Sequence, residues 1–295
     1  MAITLKERFD EQGFVIVPNL IITELRAELE QATENAISKT RSGVWPHRRV
    51  VGKQFPPYGN DGPDSWGVQH VMHPELGEPA FAKWYSSKEL RGAVEELLAC
   101  QDENLQMELF NLLINPESHE FALRWHRDDV KTTATDEEER EALEIWNHGN
   151  LRFVEIQWNT ALYEDSCLFV VPGSHRVPRT DEQRSQSSTP DPPEDPMTMP
   201  GVLQVTLHPG DTVFYNNNIL HCGKYSEKAK RATLHASMGD TRGGATRARN
   251  VLQHGLAWMK EEPFRKTLDK DGQGMLDRLI AMQEGVGHDI GYSQD

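Results

Sequence analysis

The sequence of 295 residues is poor in cysteine. Its three cysteines are Cys100, Cys167 and Cys222, and no two of them have C-x-x-C spacing. An odd number without paired spacing argues against a disulfide framework and against a thiolate zinc site. The cysteine pattern therefore favours a protein of a reducing compartment.

Long hydrophobic runs are also missing. No stretch approaches the ~18 apolar residues that a membrane-spanning helix needs. The opening MAITLKERFDEQGF contains no apolar signal-peptide segment, and the final SQD is not the peroxisomal address SKL. We therefore expect a cytoplasmic protein without a membrane partner.

Positive charge is scarce. Lys and Arg total 31 against 46 Asp and Glu, which gives a formal net charge of −15. Such a surface repels polyphosphates, so we expect no nucleic-acid partner. The 37% hydrophobic and 26% charged residues are typical of a globular protein with a sizeable core.

The first hundred residues have mainly helical patterns. Residues 3–12, Thr23 to about Lys39 and 75–100 carry apolar residues at helical spacing, with Thr23 as the expected cap, and GFVIVPNLI (13–21) predicts a strand. Residues 41–70 are too irregular for regular structure, and we expect a long loop there. Its aromatic residues favour an ordered lid over disorder: they are Trp45, Phe55, Tyr58 and Trp66.

From about residue 105 short apolar runs separated by turn residues predict a β-sandwich or barrel. Two insertions interrupt these strands. Residues 135–147 have the pattern of an acidic surface helix, and the polar, proline-rich residues 180–200 are expected to form a disordered surface loop. The tail from Arg247 to Met282 has helical character.

The stretch FALRWHRDDV (121–130) ends an apolar run with His126 and Asp128. Residues i and i+2 of an extended chain point to the same face, so the imidazole and the carboxylate would converge. They would supply two thirds of the 2-His-1-carboxylate triad of non-haem iron. A strand ending in a solvated turn is the alternative interpretation of the pair.

A third ligand is available in His221, at the end of the apolar run DTVFYNNNILHCG. Arg231 follows ten residues later and opens the strand RATLHASMG. An arginine binds a carboxylate through two parallel hydrogen bonds and stays charged when buried, so a bound anion would explain its position. Alternatively, Arg231 is the last solvated residue of the basic turn KAKR, and His235 is an ordinary histidine of the strand.

Several segments together resemble the phytanoyl-CoA dioxygenase family over most of residues 8–238. The matching segments are RFDEQGFVIVPNLI, LLINPES, WHRDD, TALYEDSCLFVVPGSHRVPR and HPGDTVFYNNNILHCG. The resemblance implies a mainly β protein with flanking helices and a double-stranded β-helix (jelly-roll, cupin-like) core. It implies a single domain over 1–295: N-terminal helices and lid in 1–104, jelly-roll core in 105–240, and a C-terminal helical extension in 241–295.

By the same resemblance, one Fe(II) is bound by His126, Asp128 and His221. Arg231 corresponds to the arginine that binds the co-substrate 2-oxoglutarate, which is consumed together with O2. Gln157 and Asn159 share one face of LRFVEIQWNTAL and are expected near the co-substrate, while Trp158 points away. Asn111 is a further candidate for this pocket.

Two departures from the family pattern stand out. The turn EDSC (164–167) lacks the Asn-Gly pair that the family often has, which we expect to affect loop shape and not chemistry. Gly223 stands where some relatives have a hydroxyl, so that hydrogen bond to 2-oxoglutarate is either missing or supplied elsewhere.

The implied activity is oxidation, above all hydroxylation, of a C–H bond of a small organic metabolite, with release of succinate and CO2. Asp128 argues against halogenation, which needs a small residue at that position. Arg48, Arg49 and Lys53 could meet a carboxylate or a CoA phosphate, although a solvated basic patch is the preferred interpretation. The competing hypotheses are a catalytically silent jelly-roll protein that binds a metal or small molecule, and a zinc hydrolase using the same ligands.

Overall fold

The computed structural model describes residues 3–55, 62, 64–147, 155–252 and 254–286. Tyr58, one of the four predicted lid aromatics, lies outside these residues. No helix in the described part is long and apolar enough to cross a membrane.

The N-terminal elements form as their local sequence predicts. Helix α1 (Leu5–Gln12) begins at a capping box between Thr4 and Glu7 and ends at Gly13, whose φ of +78° suits glycine. Strand β1 (Phe14–Val17) follows, and then helix α2 (Thr23–Arg41). Thr23 is the first helical residue of α2 and not its cap, because the cap position is Ile22, which makes no side-chain cap bond.

Two antiparallel sheets form the centre of the protein and confirm the predicted jelly-roll class. The larger has seven strands in the order β1-β9-β6-β11-β4-β3-β2, and the smaller has four in the order β5-β10-β7-β8. The strands after β1 are β2 Arg48–Val50, β3 Ser65–Val68, β4 Leu105–Ile114, β5 Phe121–Ala122, β6 Glu155–Ala161, β7 Asp165–Val170, β8 Leu203–Leu207, β9 Thr212–Tyr215, β10 His221–Tyr225 and β11 Ala232–Asp240. The large sheet therefore includes three strands that precede residue 105.

Helices from both ends of the chain pack on the large sheet. The N-terminal pair is α3 (Pro79–Tyr85) and α4 (Lys88–Leu98), and the C-terminal helices are α7 (Ala248–Leu252), α8 (Glu262–Arg265) and α9 (Lys270–Val286). Helix α9 lies against β4 and contributes Met275, Leu276 and Leu279 to the main core. This layer covers one face of the large sheet, and the small sheet faces the other.

The expectation of a wholly irregular loop over residues 41–70 is wrong. Strands β2 and β3 pair within it, and β3 pairs with β4. Trp45 and Trp66 are buried, and the indole N–H of each donates to a backbone carbonyl. The many glycines and prolines of this segment argue against regular structure, but tertiary packing stabilises two short strands in it.

The expectation of disorder over residues 180–200 is also wrong. Helix α6 (Asp181–Ser187) begins at a capping box between Thr180 and Gln183. Arg184 then bonds the Ala134 carbonyl and pairs with Glu139 of helix α5 (Asp136–Asn147). Ion pairs and caps order this insertion, together with Met199, which is buried in a small apolar cluster.

Helix α5 is acidic, but it is not only a surface helix. The Glu139 carboxylate is fully buried and lies 2.5–3.0 Å from nitrogens of three arginines. These are Arg127, Arg179 and Arg184. Because Arg127 follows His126 in the chain, α5 is tied directly to the segment that carries the predicted metal ligands.

Candidate active site

The two histidines are brought together by backbone pairing. His126 lies just after β5 and His221 opens β10, and each N–H donates to the other's carbonyl, at 3.0 and 3.1 Å. Directly opposed residues of an antiparallel bridge project their side chains to one face. The two imidazole centroids are accordingly 4.1 Å apart.

Asp128 completes the cluster. Its N–H donates to the Asn217 carbonyl at 2.9 Å, which fixes the backbone beside β10. Its Oδ1 lies 3.5 Å from His126 Nε2 and 3.9 Å from His221 Nε2. Donor atoms of all three residues lie within 4.8 Å of one another, so they can converge on one metal ion.

Both imidazoles present the correct nitrogen to this cluster. His126 Nδ1 lies 2.9 Å from the Arg124 carbonyl, and His221 Nδ1 lies 2.8 Å from the Ile219 carbonyl. A carbonyl only accepts, so Nδ1 carries the proton and Nε2 offers its lone pair. Burial, reinforced by the neighbouring His221, holds the pKa of His126 well below 6.5, which keeps it in the neutral, metal-binding form.

Strand β6 supports the cluster from the large sheet. Gln157 Nε2 donates to Asp128 Oδ2 at 2.7 Å and leaves Oδ1 toward the histidines. Asn159 also lines the cavity and contacts His235 Nδ1 at 2.9 Å, while Trp158 lies in the main core on the opposite face. Side chains of β6 therefore alternate between the cavity and the main core, as expected.

Asn111 occupies a different place. Its Oδ1 accepts the backbone N–H of His70 at 3.3 Å, and it is not among the described residues that line the cavity. The observed partner of Asn111 is therefore the His70 backbone. His235, expected to be an ordinary strand histidine, does line the cavity.

Arg231 lies in the cavity wall, but it is not the uncompensated cation that the sequence suggested. Its Nε donates to Asp165 Oδ2 at 2.7 Å, and the hydroxyl of Thr233 donates to the same oxygen. Asp165 is the second residue of the EDSC turn, so the expectation that this departure affects loop shape alone is wrong. The alternative of a solvated Arg231 is also wrong, because its side chain is 4% exposed.

Tyr225 occupies the space that Gly223 leaves open. A Cβ at residue 223 would lie 2.7 Å from the Tyr225 hydroxyl oxygen. The phenol lines the cavity, and the Arg231 guanidinium lies over its ring at 4.5 Å. Tyr225 is therefore positioned to supply the hydroxyl that the glycine lacks.

The predicted lid reaches the metal cluster through two neighbouring residues. Gln54 Oε1 accepts the Arg124 N–H at 2.9 Å, and its Nε2 donates at 3.3 Å to the same Arg124 carbonyl that His126 Nδ1 contacts. The Phe55 ring meets the His126 ring edge-on, with centroids 5.2 Å apart. The sequence carried no signal for Gln54, because its role depends on where the loop folds back.

One cavity joins all these groups. Its described polar lining comprises Arg49, Gln54, His126, Asp128, Gln157, Asn159, Tyr215, His221, Tyr225, Arg231, His235, Ser237 and His254, together with Cys167 and Cys222. Its apolar lining includes Phe55, Trp66, Leu109, Leu113, Leu123, Leu168 and Ala236. Burial raises the pKa of Cys167 to about 12 and lifts that of Cys222 higher still, so neither thiol is a thiolate ligand at neutral pH.

The donor set fits a non-haem iron centre. Two neutral imidazoles and one carboxylate would bind one face of a metal ion and leave its other coordination positions to small ligands. Arg231 Nη1 is buried without a hydrogen-bond partner in the described residues, and Arg231 lines the same cavity. That nitrogen provides a donor for a carboxylate of an organic acid beside the metal.

The phytanoyl-CoA dioxygenase (PhyH) family model matches residues 9–232. Among curated proteins, none matches this sequence at a significant level.

Several solved structures share the fold. AviO1 from Streptomyces viridochromogenes Tue57 is 20% identical, with a TM-score of 0.54 over 80% of this chain and 93% of that one. The non-heme alpha-ketoglutarate-dependent epimerase SnoN from nogalamycin biosynthesis is 17% identical, with a TM-score of 0.52 over 80% of each chain. EctD from S. alaskensis, crystallised with 2-oxoglutarate and 5-hydroxyectoine, is 17% identical, with a TM-score of 0.52 over 80% of this chain and 75% of that one.

Proposed function

The chain belongs to the phytanoyl-CoA dioxygenase family of 2-oxoglutarate-dependent non-haem iron oxygenases, and we propose that it hydroxylates a C–H bond of a small organic metabolite. The observation that carries this proposal is the convergence of His126, Asp128 and His221 in one cavity with Arg231. Residues from two distant parts of the chain, 126–128 and 221–231, meet there. A protein that had lost catalysis would not need to keep all four.

The metal would be held by His126 Nε2, His221 Nε2 and Asp128 Oδ1. Fe(II) with 2-oxoglutarate and O2 supplies an oxidant that breaks a C–H bond, with succinate and CO2 as by-products. Gln157 keeps the Asp128 carboxylate turned toward the histidines, and the two carbonyl-bound imidazoles keep their lone pairs aimed at one point. The chain thus fixes the donor geometry before any ligand arrives.

The co-substrate would extend from the metal toward Arg231. Its distal carboxylate would accept hydrogen bonds from Arg231 and from the Tyr225 hydroxyl, both of which line the cavity. The Arg231 guanidinium is held from behind by Asp165, so its Nη1 is already oriented. This preorganisation reduces the entropy lost on binding.

The primary substrate would approach along the apolar wall. Phe55, Leu109 and Leu123 line the cavity and exclude water from the reacting carbon. A hydrocarbon portion fits such a wall, because apolar contact compensates for desolvation. This favours a metabolite that presents an unactivated C–H bond.

Incubation in air with Fe(II), 2-oxoglutarate and a metabolite extract tests the proposal. With isotopically heavy O2, a product that has gained one heavy oxygen atom is expected, in step with succinate. Omission of 2-oxoglutarate should abolish the product. Hydrolysis products that form with Zn(II), without O2, would instead support a zinc hydrolase and refute an oxygenase.

A further inference from the structure

The large sheet lines one side of the cavity with a set of four polar side chains. Strands β6 and β11 pair so that Gln157 lies opposite Ser237 and Asn159 lies opposite His235. Directly opposed residues of an antiparallel pair project to the same face, and all four residues line the cavity. These four residues therefore form one continuous surface, the polar floor of the cavity.

The polar floor begins beside the predicted metal ligands. Gln157 Nε2 donates to Asp128 Oδ2 at 2.7 Å. Ser237 lies directly across the strand pair from Gln157, with about 5 Å between the Cβ atoms, and His235 lies about 7 Å further along the same face. A ligand group bound to Ser237 or His235 would therefore lie close to the metal site.

His235 faces the cavity as a hydrogen-bond acceptor. Its Nδ1 lies 2.9 Å from Asn159 Oδ1. Burial holds the pKa of His235 well below 6.5, although a hydrogen bond from the ring to the Trp158 backbone carbonyl partly opposes this effect. Both oxygens only accept, so the proton of the neutral ring is on Nδ1. His235 Nε2 is left with a lone pair and makes no hydrogen bond within the described part of the chain.

Ser237 is a second acceptor on the same strand. Its side chain is buried, and its hydroxyl donates to Glu108 Oε2 at 2.8 Å. A hydroxyl has one hydrogen and two lone pairs, so Ser237 offers only lone pairs to a ligand once its hydrogen is committed to Glu108. The polar floor thus presents two acceptors, His235 Nε2 and Ser237 Oγ, whose own hydrogens are already used.

The co-substrate cannot be the donor for these acceptors. At neutral pH 2-oxoglutarate carries two carboxylates and a ketone, and none of these groups has an O–H or N–H hydrogen. A buried acceptor that stays unpaired after a ligand has displaced water costs free energy. The donor that pairs with His235 and Ser237 must therefore come from the primary substrate.

That donor has to be uncharged. Asp128 is the one acidic residue among the described residues that line the cavity, and it belongs to the metal cluster. An ammonium group would therefore be buried without a counter-ion, which is costly. A hydroxyl or an amide N–H meets the requirement, and the apolar lining of Phe55, Leu109 and Leu123 receives the hydrocarbon part.

We infer that His235 and Ser237 bind an uncharged hydrogen-bond donor of the primary substrate, a hydroxyl or an amide N–H, close to the carbon that is oxidised. This inference rests on the proposed function, because it takes the cavity as the site of a 2-oxoglutarate-dependent oxidation. It gives His235, which the sequence predicted to be an ordinary strand histidine, a role in specificity. The substrate class is therefore a hydrocarbon skeleton that carries at least one such group.

The identity of the substrate tests the inference first. The wild type is incubated with Fe(II), 2-oxoglutarate and a metabolite extract under isotopically heavy O2, and the substrate is the molecule whose product gains a heavy oxygen atom. Its mass shift in D2O counts the O–H and N–H hydrogens, and methyl esterification counts the carboxyl groups. At least one O–H or N–H hydrogen outside the carboxyl groups is expected, and mild acetylation then distinguishes a hydroxyl from an amide.

Variants of His235 test the role of this residue with the same substrate. His235→Phe keeps a ring but removes the acceptor, so KM for the substrate should rise about 10- to 100-fold. The affinity of the Mn(II)-loaded variant for 2-oxoglutarate, measured by calorimetry without O2, should equal that of the wild type. His235→Gln, whose amide oxygen accepts, should recover part of the loss. His208→Phe is the matched control, because His208 is exposed and does not line the cavity.

Ser237→Ala is an independent and smaller change. It should raise KM for the substrate about 3- to 10-fold, the usual effect of losing one hydrogen bond between neutral groups. It should also leave the affinity for 2-oxoglutarate unchanged. A residue that only supported the fold would alter both quantities.

A substrate without an O–H or N–H hydrogen outside its carboxyl groups would overturn the inference and leave the proposed function intact. So would an unchanged KM in His235→Phe and Ser237→Ala, or equal losses of affinity for substrate and 2-oxoglutarate in either variant. Absence of any product with heavy oxygen would refute the proposed function, and this inference with it.

Discussion

At the scale of single residues, the orientation of Asp128 depends on Gln157. The amide holds Oδ2 at 2.7 Å, so Oδ1 is left to face the histidine nitrogens. Without that bond the Asp128 carboxylate can rotate. Metal binding would then cost more conformational entropy than it does in the wild type. Asp128 is therefore a prearranged ligand only while Gln157 is present.

We predict that Gln157→Leu lowers Mn(II) affinity by about 10- to 100-fold, the usual effect of removing a hydrogen-bond partner of a metal ligand. Isothermal titration calorimetry measures this directly. Gln204→Leu, at an exposed position of strand β8, is the matched control and should bind Mn(II) normally. Equal metal affinity in Gln157→Leu and the control would show that Gln157 does not orient the ligand.

Strand periodicity made some of these residues predictable. His126 with Asp128, and Gln157 with Asn159, are two apart in the sequence, and the structure places each pair in the cavity. Asp165 could not be assigned to Arg231 from the sequence, because their contact depends on how β7 and β11 lie across the two sheets. The positions of Tyr225 and Arg49 in the cavity could not be predicted for a related reason, since each side chain occupies space that a glycine leaves open.

At the scale of elements, one buried carboxylate joins helix α5 to the metal-binding segment. Glu139 has no exposed surface, and Arg127 Nε and Arg179 Nε lie 2.9 and 3.0 Å from its Oε1. Arg127 Nη1 also donates to the Ser174 carbonyl at 2.7 Å. Loss of Glu139 would leave buried guanidinium groups without their counter-ion.

We predict that Glu139→Ala lowers the free energy of unfolding by about 3–5 kcal/mol, as expected when one partner of a buried ion pair is removed. Urea denaturation measures the change. Glu141→Ala, at an exposed position two residues later in the same helix, should change it by less than about 0.5 kcal/mol. Similar stability of the two variants would mean that the arginine cluster is not structural.

The short 3-10 helix Ser174–Arg176 makes stability sensitive to acid. His175 is buried against the junction of α1 and β1, where its Nε2 lies 3.2 Å from the Asp10 carbonyl. Burial lowers the pKa of His175 from 6.5 to about 4. Below pH 6.5 the unfolded chain takes up a proton that the folded protein does not, so stability falls until the pH reaches about 4.

Between pH 7 and pH 5 this histidine should remove about 2 kcal/mol of the free energy of unfolding. Urea denaturation at the two pH values should therefore show a smaller decrease for His175→Gln than for the wild type. His119→Gln, on an exposed loop, should retain the wild-type decrease. A decrease as large in His175→Gln as in the wild type would assign the acid sensitivity to other groups.

Elements were predicted well where apolar periodicity was long and poorly where polar contacts organise the chain. Helices α2 and α9 bury one regular apolar stripe each, and the sequence shows both. The 180–200 insertion has little apolar surface to bury. It is ordered by the Thr180 capping box and by Arg184 pairing with Glu139, and composition does not report such contacts.

At the scale of the whole molecule, the fold explains why distant segments make one site. The small sheet carries the two histidines, and the large sheet contributes Gln157 and lies beside Arg231. The cavity between the sheets is where a metal, an organic acid and a substrate can meet. The order of motifs along the chain predicted that His126, Asp128, His221 and Arg231 share one cavity. The burial of the Arg231–Asp165 ion pair in its wall could be seen only in the structure.

Release of labelled succinate from labelled 2-oxoglutarate tests the central claim most directly, in air with Fe(II) and a metabolite extract. We predict that the wild type forms labelled succinate and that Asp128→Ala forms none while unfolding with a normal cooperative transition. Asp129→Asn, which alters the adjacent acid bonded to Asn217 and Asn218, should retain turnover. Equal amounts of succinate from the wild type and from Asp128→Ala would contradict the role of Asp128 as an iron ligand. A wild-type protein that binds iron but releases no succinate would contradict the proposed activity.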